Sequence, residues 1–458
     1  MNRNVAEIRN APSAFQESRP AIARSDRGTR RPPTGVPSTL HPHRAPIAPV
    51  PAAPACVPSL GELVHRPLIV HCHLRWDFVW QRPQQILSRL AAHHPVLFVE
   101  DPVHALAGGA PQLRITEPQH NVVRVVPLLP QAGARGVDAD CAIVAPLLRR
   151  ALAAHPLLAG RFDGAIQWFY SPMTAPAFLG DFGTVGAVYD CMDELANFRF
   201  APPDIADRER YLMDRARVVF TGGQQLFEAK AQHHHNVHFF GCGVDVAHYG
   251  RALDPGTAVP PELAGLPGPV LGYFGVIDER IDYALLDRLC AEFPGGSIAM
   301  VGPFAKVDPE SLPHAPNLHW LGQRDYADLP ALVKGFDVCL MPFALNDATR
   351  FINPTKTLEY MAAGKPIVST AVPDVLRLFT PVVEVAHDHD AFVDAVARAA
   401  AAPCAALLDK GIERAQRATW EAIVHAMRGR LLDGFRPPRT DALPPGFVGA
   451  SALALGQG

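Results

Sequence analysis

The segment at residues 350–370, RFINPTKTLEYMAAGKPIVST, carries the signals of a short helix that leads into a strand. Asn353 is of a type that favours the N-cap, Pro354 suits the first helical position, and Gly364 suits the position just past a helix end. The pattern therefore predicts a helix over residues 354–363 and a buried strand, PIVST, after it. Helices that alternate with buried strands are typical of α/β proteins with parallel sheets.

Lys356 stands in the first turn of this predicted helix, where a cation opposes the helix dipole at a cost of about 0.3–1 kcal/mol. An anion at the same helix end would remove that cost, because backbone N–H groups and the ammonium group would converge on it. A diphosphate is the natural candidate, and Glu359 is placed to accept hydrogen bonds from ribose hydroxyls. A surface Lys–Glu pair, worth about 0.2–0.5 kcal/mol, is the alternative that these residues leave open.

Short apolar runs recur on both sides of this segment and are separated by amphipathic stretches. In the first half of the chain the runs are PLIVH, VLFVE, NVVRVV, GAIQWF, GAVYD, RVVFTG and NVHFF. In the second half they are VLGYFG, SIAMVG, NLHWLG, DVCLMPF, PIVST and VVEVA. Such runs predict the buried strands of two Rossmann-like, doubly wound parallel-sheet domains that face each other across a cleft.

A chain of 458 residues exceeds what one hydrophobic core normally serves. A Pro/Gly-dense stretch, ALDPGTAVPPELAGLPGP, lies between the two sets of runs and marks a linker, since neither strand nor helix tolerates it. The predicted divisions are a disordered Pro/Arg-rich tail 1–66, a first domain 67–245, a linker 246–268, a second domain 269–418, a helix 419–436 that crosses back to the first domain, and a disordered tail 437–458.

Composition excludes several classes of protein. The formal net charge of −3 argues against a general nucleic-acid binder. No apolar run reaches the ~20 residues of a membrane helix, and the start, MNRNVAEIRNAPSAFQ, lacks the apolar segment of a secretory signal. The 8 cysteines form no CxxC pair, which favours reduced thiols over disulfides or zinc ligands. We therefore expect a cytoplasmic protein without a transmembrane segment, and peripheral contact with the inner face of a membrane stays open.

The loop after the first predicted strand, HCHLRWDFVWQRPQQ, is rich in polar and aromatic side chains. Pro83 suits a helix start, which makes Arg82 the N-cap, a position that prefers Ser, Thr, Asp or Asn. One anion held between the domains would explain both Arg82 and Lys356. The alternative is a structural loop in which the tryptophans pack and Asp77 caps the helix. The predicted cleft or acceptor contacts are His73, Arg75, Asp77 and Arg82.

Acidic side chains follow another predicted strand of the first domain, in GAVYDCMDELANF. Ligands of such sheets bind at the carboxyl ends of strands, so we predict that Asp190 and Asp193 act as base toward an acceptor hydroxyl or orient it. Two Asp-x-Asp pairs, in VDADC and HDHDA, are of the kind that holds a metal and a diphosphate in another fold. Neither pair follows a convincing strand, and we expect no metal and no other cofactor.

The segment NPTKTLEYMAAGKPIVST resembles the donor-site signature of retaining GT-B glycosyltransferases of the glycogen-synthase and mannosyltransferase type, the glycosyl transferases group 1. In that signature a glutamate grips the nucleotide ribose, which implies this role for Glu359. A second glutamate, eight positions earlier, contacts the transferred sugar in the family, and this chain has Phe351 there. The resemblance therefore implies that the sugar contact is missing or is supplied elsewhere.

Further segments extend the resemblance over about residues 67–433. GCGVDVAHY is similar to the turn that closes the first domain, LGYFGVIDERIDYALL and HWLGQRDYADLP to units of the nucleotide-binding domain, and TWEAIVHAM to the terminal helix. The two first-domain loops resemble SHLRWDFVFQRPQ-like and YDCMDE-like segments of a bacterial subset of GT-B enzymes. The donor-binding residues that the resemblance implies are Gly275, Arg280, Gly322, Arg324, Asn353, Thr355, Lys356 and Glu359.

The resemblance implies a metal-independent, retaining hexosyltransferase with a GT-B fold. It would move sugar from a nucleotide-diphosphate-sugar donor to a glycan or lipid-linked acceptor in bacterial polysaccharide or glycoconjugate synthesis. The departing diphosphate gains negative charge, which makes Lys356 a predicted catalytic residue. The other two predicted catalytic residues are Asp190 and Asp193, which would act on the acceptor hydroxyl. Two other interpretations stay open: a nucleotide-sugar epimerase of the same architecture, and a non-catalytic sugar or nucleotide sensor, which the exchange at Phe351 favours.

Overall fold

The computed structural model describes residues 64–106, 108–131 and 136–436. Nearly all of the two predicted tails, 1–66 and 437–458, lies outside these residues. Within the described part of the chain the strands form two sheets, one of nine strands in the first half and one of six strands in the second half.

The first sheet has the strand order β3-β5-β2-β1-β6-β7-β8-β9, with β4 paired to β5. Its strands are β1 (Leu68–Cys72), β2 (Val96–Glu100), β3 (Val103–Leu106), β4 (Gln112–Gln119), β5 (Val122–Pro130), β6 (Ile166–Phe169), β7 (Gly186–Cys191), β8 (Ala216–Thr221) and β9 (Val237–Phe239). The pairs are parallel except for β4 with β5, which is antiparallel.

Helices cover both faces of this sheet because each has an apolar side to bury. They are α1 (Arg82–Leu90), α2 (Val137–Ala154), α3 (Ala175–Phe178), α4 (Ile205–Met213) and α5 (Gln224–Lys230). In α1, Ile86, Leu87 and Leu90 are fully buried in a cluster with side chains of β1 and β6. Val144 and Leu148 of α2 are buried in clusters on other side chains of the same sheet.

The second sheet has the order β12-β11-β10-β13-β14-β15, with all its pairs parallel. Its strands are β10 (Val270–Phe274), β11 (Ser297–Val301), β12 (Leu318–Gly322), β13 (Val338–Met341), β14 (Ile367–Thr370) and β15 (Glu384–Ala386). The helices of this half are α6 (Val246–Tyr249), α7 (Pro261–Ala264), α8 (Tyr283–Glu292), α9 (Leu329–Lys334), α10 (Lys356–Ala362), α11 (Pro373–Phe379), α12 (His389–Ala401), α13 (Ala405–Arg417) and α14 (Trp420–Phe435).

The apolar runs predict two doubly wound parallel sheets, and the structure confirms this fold class. Each of the thirteen runs forms a strand. The pattern missed β3 and β4. These strands lie at the edge of the first sheet, and most of β4 is exposed or half-buried, so it lacks the continuous apolar run of a central strand.

The predicted linker contains more structure than its proline and glycine content indicated. Helices α6 and α7 both lie within residues 246–268. The Asp245 carboxylate caps α6 by accepting a hydrogen bond from the backbone N–H of His248 at 2.9 Å. Pro261 occupies the first turn of α7, where a missing N–H costs nothing, so proline starts this helix rather than preventing it.

Helix α14 packs on the first half of the chain although it follows the second sheet. Its buried side chains Trp420, Val424, Met427 and Leu431 belong to the same cluster as strand β1. Gly243 comes so close to Trp420 that an added Cβ would lie 2.8 Å from the Trp420 Cα, so glycine is needed there. The exact domain boundaries given above stay predictions.

In the described part of the chain no single helix is long and apolar enough to cross a membrane. The helices α12 and α13, which meet at an angle of 98°, satisfy the length and composition criteria only when taken together.

A cleft between the two sheets as candidate active site

A cleft of about 540 Å³ lies between the two sheets, at the carboxyl ends of strands β1, β7, β10, β11 and β12. This volume is within the range of about 300–1,000 Å³ that is typical of small-molecule sites. The predicted site residues that line it are Asp77, Arg82, Asp193, Gly275, Arg280, Arg324, Asn353, Thr355, Lys356 and Glu359. The predicted residues that are not among its lining residues are His73, Arg75, Asp190 and Gly322.

Helix α10, which supplies Lys356 and Glu359, begins later than the sequence predicts. Thr355 is its N-cap and Lys356 its first residue, so the predicted start at Pro354 with Asn353 as cap is wrong. The side-chain amide of Asn353 instead donates a hydrogen bond to the Gly222 carbonyl at 3.1 Å, across the cleft. The Asn353 Oδ1, which is the atom that would accept a capping hydrogen bond, has no hydrogen-bond partner among the described residues, so this side chain does not cap the helix.

Among the described residues that line the cleft, Lys356 is the least compensated cation. It is half-buried, and its Nζ lies 5.3 Å from the centre of the Tyr273 ring. Within the described residues it makes no hydrogen bond and no ion pair within 4.0 Å. Burial lowers the pKa of this ammonium group, and the nearby Glu359 carboxyl opposes that shift. An anionic ligand would compensate a cation in this position.

Gly275 is what lets Lys356 enter the cleft. A Cβ on this residue would lie 2.2 Å from Cε and 2.5 Å from Nζ of Lys356. Its φ of 143° is, in addition, a conformation that side chains rarely adopt. The glycine therefore allows the turn from strand to loop after β10, and it leaves room for the Lys356 ammonium group.

Glu359 lies one turn after Lys356 on the same side of α10 and is 9% exposed. Burial raises the pKa of its carboxyl to about 7, although Lys356 and the Tyr249 hydroxyl beside it oppose the shift. A buried carboxyl that lines a cleft and titrates near neutral pH is typical of a functional group rather than of a surface ion pair. The surface-pair alternative for Lys356 and Glu359 is therefore wrong.

The other two predicted donor cations are partly neutralised by the protein itself. Arg280 makes a bidentate contact with Asp278, in which Nη2 lies 2.7 Å from Oδ2. Arg324 lies 3.4 Å from Glu262 and is half-buried at the edge of the cleft. Both guanidinium groups face the cleft region but bring less uncompensated charge than Lys356 does.

Arg82 has a different role from the one that its position in the sequence suggested. Gln81 is the N-cap of α1, so Arg82 occupies the first helical position. Its guanidinium is 4% exposed and donates from Nε to Asp190 at 3.0 Å and from Nη1 to the Phe240 carbonyl at 2.7 Å. The cation at this helix entrance is therefore explained by a buried carboxylate of the protein, and no ligand is needed to account for it.

Asp190 is fully buried beside Arg82, and its exposed fraction is 0%. The prediction that Asp190 contacts the acceptor is therefore wrong, because a carboxylate engaged in a buried ion pair cannot reach a ligand in the cleft. Asp190 lies within strand β7, whose last five residues are all buried, whereas Asp193 follows the end of the strand and lines the cleft.

Arg75 and Asp77 hold the loop after β1 in place. Arg75 lies 3.2 Å from Glu100, and Arg124 binds both Glu100 and Asp77. Arg75 is thus a structural residue and the prediction that it contacts a ligand is wrong, whereas Asp77 both pairs with Arg124 and lines the cleft.

His73 and the two tryptophans of this loop differ in their surroundings. His73 is 8% exposed, and burial lowers the pKa of its imidazole to about 4, so it is neutral in the core and does not line the cleft. Trp76 is buried against Phe98, as the structural alternative expects. Trp80 is 40% exposed and stacks on Tyr326 from the second half of the chain, with 5.8 Å between ring centres.

Asp193 is, with Asp77, one of two acidic residues that the described first half of the chain contributes to the cleft lining. Its carboxyl makes no hydrogen bond and no ion pair with any described residue. Burial raises its pKa to about 6, an effect that Arg280, Arg82 and Lys306 partly oppose and Asp278 reinforces. A carboxyl without a partner in such a place is available to a ligand hydroxyl.

Phe351 and the residues of the two Asp-x-Asp pairs do not line the cleft. Phe351 packs against the core cluster under β7 and β8, so it joins the two halves of the chain instead of contacting a ligand. Asp138 pairs with Arg208, and Asp388 caps α12. Among the described residues no group of three or more His, Cys, Asp or Glu side chains is placed to hold a metal ion.

Sequence reasoning singled out the tryptophans of the loop after β1 but missed the tyrosines of the cleft. Tyr326 stacks on His248 with 4.0 Å between ring centres, and Tyr249 and Tyr273 line the cleft beside Glu359 and Lys356. No local motif marks these tyrosines, because each comes from a separate turn or strand and they meet only when the sheet and α6 are assembled.

Comparison with known proteins agrees with this geometry. Residues 269–402 match the family described as Glycosyl transferases group 1. A protein of Bacillus subtilis (strain 168), named putative teichuronic acid biosynthesis glycosyltransferase TuaH, is 30% identical over 138 residues. That stretch covers 30% of this chain and only 35% of the relative, about a third of its length.

Solved structures resemble nearly the whole described chain. Sucrose-phosphate synthase from Thermosynechococcus elongatus has 17% identity and a TM-score of 0.59, with 81% of this chain and 98% of that chain covered. The E. coli trehalose-6-phosphate protein bound with UDP-2-fluoro glucose has 14% identity and a TM-score of 0.57, with 80% and 99% covered. A trehalose-6-phosphate synthase described in connection with glycosyl transfer with retention has 14% identity and a TM-score of 0.56, with 80% and 99% covered.

The fold is therefore GT-B, the two-domain architecture of these synthases. Within that fold, the second half of the chain carries a domain that matches the glycosyl transferases group 1, and this domain supplies Lys356, Glu359, Arg280 and Arg324 to the cleft.

Proposed function

We propose that the protein is a glycosyltransferase that moves a sugar from a nucleoside-diphosphate sugar to a hydroxyl of an acceptor. The observation that carries this proposal is the ammonium group of Lys356, which lies in the cleft without a compensating partner and one helical turn from Glu359. Both residues belong to the domain that matches the glycosyltransferase family. A diphosphate next to the ammonium group and a ribose next to the carboxyl would satisfy both side chains.

The chemistry of the donor explains why a cation is needed there. When the bond between sugar and diphosphate breaks, negative charge develops on the departing diphosphate. A preorganised cation stabilises that charge more than it stabilises the intact donor, and so lowers the barrier. Lys356 is best placed for this role, and Arg280 and Arg324 add a weaker field because acidic side chains already balance them. These side chains supply charge of the kind that a metal ion supplies in other transferases, so we propose a metal-independent reaction.

On the acceptor side we propose that Asp193 accepts the proton of the attacking hydroxyl or orients it. The side chain enters the cleft from the first half of the chain, opposite α10, and it has no partner among the described residues. Asp190 is the buried neighbour that holds Arg82, and it has no direct part in the reaction in this proposal.

The pH dependence of the reaction tests Asp193. Because burial raises the pKa of this carboxyl to about 6, the base form is lost as the pH falls through 6, and kcat/KM should fall tenfold per pH unit below that value. Asp193→Asn should lower kcat by roughly 10²-fold and remove this acidic limb. The matched variant Asp325→Asn changes another carboxyl of the cleft lining, and it should keep the limb. An unchanged acidic limb in Asp193→Asn would assign the titration to another group, such as Glu359.

Two finer features of the reaction belong to the same proposal. We propose that transfer proceeds with retention, which is supported by the fold shared with a synthase described in that way. We also propose that the product is a bacterial surface polysaccharide or glycoconjugate and that the acceptor is a glycan or a lipid-linked glycan at the inner face of a membrane. The name of the Bacillus subtilis relative supports this choice of product class.

Thermal unfolding in the presence of nucleotide sugars tests the proposed function. UDP-, GDP- and ADP-sugars are added to the full chain with and without a chelator, and one of them should stabilise it by about 2.7 kcal/mol at one hundred times its Kd. The chelator should leave that shift unchanged. No stabilisation by any nucleotide sugar would contradict the proposal. With the stabilising donor alone, interconversion of its sugar would indicate an epimerase, and the absence of turnover with every acceptor would indicate a sensor.

A further inference from the structure

A second cavity, of about 90 Å³, lies within the first half of the chain, between helix α2 and the carboxyl ends of β1 and β2. None of the described residues lines both this cavity and the cleft between the sheets. Nothing in the proposed reaction uses it. Its polar lining includes His71, Asp101 and Asp140, and the rest of its wall is largely apolar.

Two carboxyl groups in this wall are incompletely satisfied. Asp140 is 5% exposed; one of its oxygens lies 3.0 Å from His104 Nε2, and the other, Oδ1, has no hydrogen-bond partner in the described part of the chain. The Asp101 carboxyl makes no hydrogen bond and no ion pair with the described residues, and burial raises its pKa to about 6. Buried polar atoms without partners are rare in folded proteins, so Asp140 Oδ1 points to a missing group in the cavity, and the half-buried Asp101 carboxyl lies in the same wall.

His71 adds a hydrogen-bond donor to the same wall. The Gln167 side-chain oxygen accepts from the Gly180 N–H at 2.8 Å, which turns its amide nitrogen toward His71 Nε2, 3.4 Å away. That ring nitrogen must therefore accept, and the proton of the neutral ring is on Nδ1. Burial lowers the pKa of His71 to about 3, so the ring stays neutral. Within the described residues Nδ1 has no partner either.

This set of groups selects one kind of ligand. Among the described residues that line the cavity there is no lysine or arginine, so none of them compensates an anion. A hydroxyl group can donate to the carboxylates and accept from the His71 N–H, whereas an ammonium group can only donate. The cavity volume of about 90 Å³ is several times the roughly 10–15 Å³ that is needed to hold one water molecule, so a hydroxymethyl arm fits in it.

The cavity and the cleft are connected through two loops of the first half of the chain. The loop after β7 contributes Asp193 to the cleft and Phe200 to the cavity. The end of β1 contributes Cys72 to the cavity, and the loop that follows it contributes Trp76 to the cleft. Both sites therefore open at the same edge of the first sheet, which is where ligands of such sheets bind.

We propose that this cavity is a subsite of the acceptor and takes a neutral, hydroxyl-bearing arm of a sugar or polyol. The role as an acceptor subsite rests on the proposed function, whereas the preference for a neutral hydroxyl group follows from the side chains that line the cavity. It divides acceptor recognition into a reaction position beside Asp193 and an anchoring position beside Asp101 and Asp140.

Glycerol, a neutral polyol, and ethanolamine, a cationic amino alcohol that is small enough to enter the same space, test the chemistry of the cavity. Saturation-transfer NMR on the full chain measures binding of each, and a crystal soaked with glycerol locates it. We expect glycerol to bind with a hydroxyl within hydrogen-bond distance of Asp101 or Asp140, and ethanolamine to bind more weakly. Ordered waters alone in the cavity, or stronger binding of ethanolamine, would overturn the proposal.

Variants connect this binding to the named residues. Asp101→Asn keeps the shape of the side chain and should weaken glycerol binding about tenfold, because a hydrogen bond to a charged group is lost. Val144→Phe should fill the cavity and abolish binding, and the exposed Asp207→Asn is the matched control. Stabilisation by the nucleotide sugar should persist in all three variants. If the nucleotide sugar failed to stabilise the unmodified chain, the proposed function would be refuted. Unchanged glycerol binding in Asp101→Asn would refute only the subsite.

Discussion

Replacing Lys356 by alanine should lower the turnover of the nucleotide sugar by about 10²–10³-fold while the fold stays intact. The ammonium group has no compensating ion pair within the described residues, so its removal leaves no carboxylate unpaired. What is lost is the stabilisation of the departing diphosphate, an interaction that is strongest in the transition state. Release of nucleoside diphosphate measures kcat, and thermal unfolding shows whether the protein remains folded.

Two comparisons make this experiment specific to the position of the charge. Lys410→Ala removes an exposed lysine of α13 that does not line the cleft, and it should leave turnover unchanged. The apparent melting temperature of Lys356→Ala in the absence of ligand should equal or exceed that of the unmodified protein, because a partly buried cation is costly. Turnover close to that of the unmodified protein would remove Lys356 from the mechanism.

Breaking the ion pair between Arg82 and Asp190 should produce the largest loss of stability in the first half of the chain. Both side chains are almost completely buried, and their closest atoms are 3.0 Å apart. Arg82→Met leaves the Asp190 carboxylate uncompensated in the core and should lower the free energy of unfolding by about 3–5 kcal/mol. Urea unfolding followed by circular dichroism measures this loss.

A double replacement separates the ion pair from simple loss of packing. Arg82→Met together with Asp190→Leu removes both charges, and most of the stability lost in Arg82→Met should return. Arg149→Met breaks an exposed pair with Asp181 and should cause no measurable change, since solvent already screens that pair. If Arg82→Met retained full stability and lost only diphosphate binding, Arg82 would be a ligand contact after all.

These two experiments assign opposite roles to two cations that look alike in the sequence. Both Lys356 and Arg82 stand at the first residue of a helix, where a cation is unfavourable. Local rules identified both as unusual but could not distinguish them, because those rules do not show which carboxylate lies nearby. The distinction rests on Asp190, which is 108 residues from Arg82 in the chain.

The sequence by itself determined the two parallel sheets, the short helix that presents Lys356 and Glu359, and the loop that presents Asp193. These features depend on local patterns: continuous apolar runs form buried strands, and the loops at their carboxyl ends lie at one edge of the sheet. Proline and glycine positions predicted the start of helix α10 to within two residues.

Only the tertiary structure decided which charged residues are free to bind a ligand. Arg75 and Arg82 are neutralised by Glu100 and Asp190, and the amide of Asn353 bonds to a carbonyl 131 residues away. The edge strands β3 and β4 and the second cavity likewise depend on contacts between distant elements. The physical reason is that a side chain's charge and hydrogen bonds are satisfied by whatever the folded chain brings beside it, and that neighbour is seldom close in sequence.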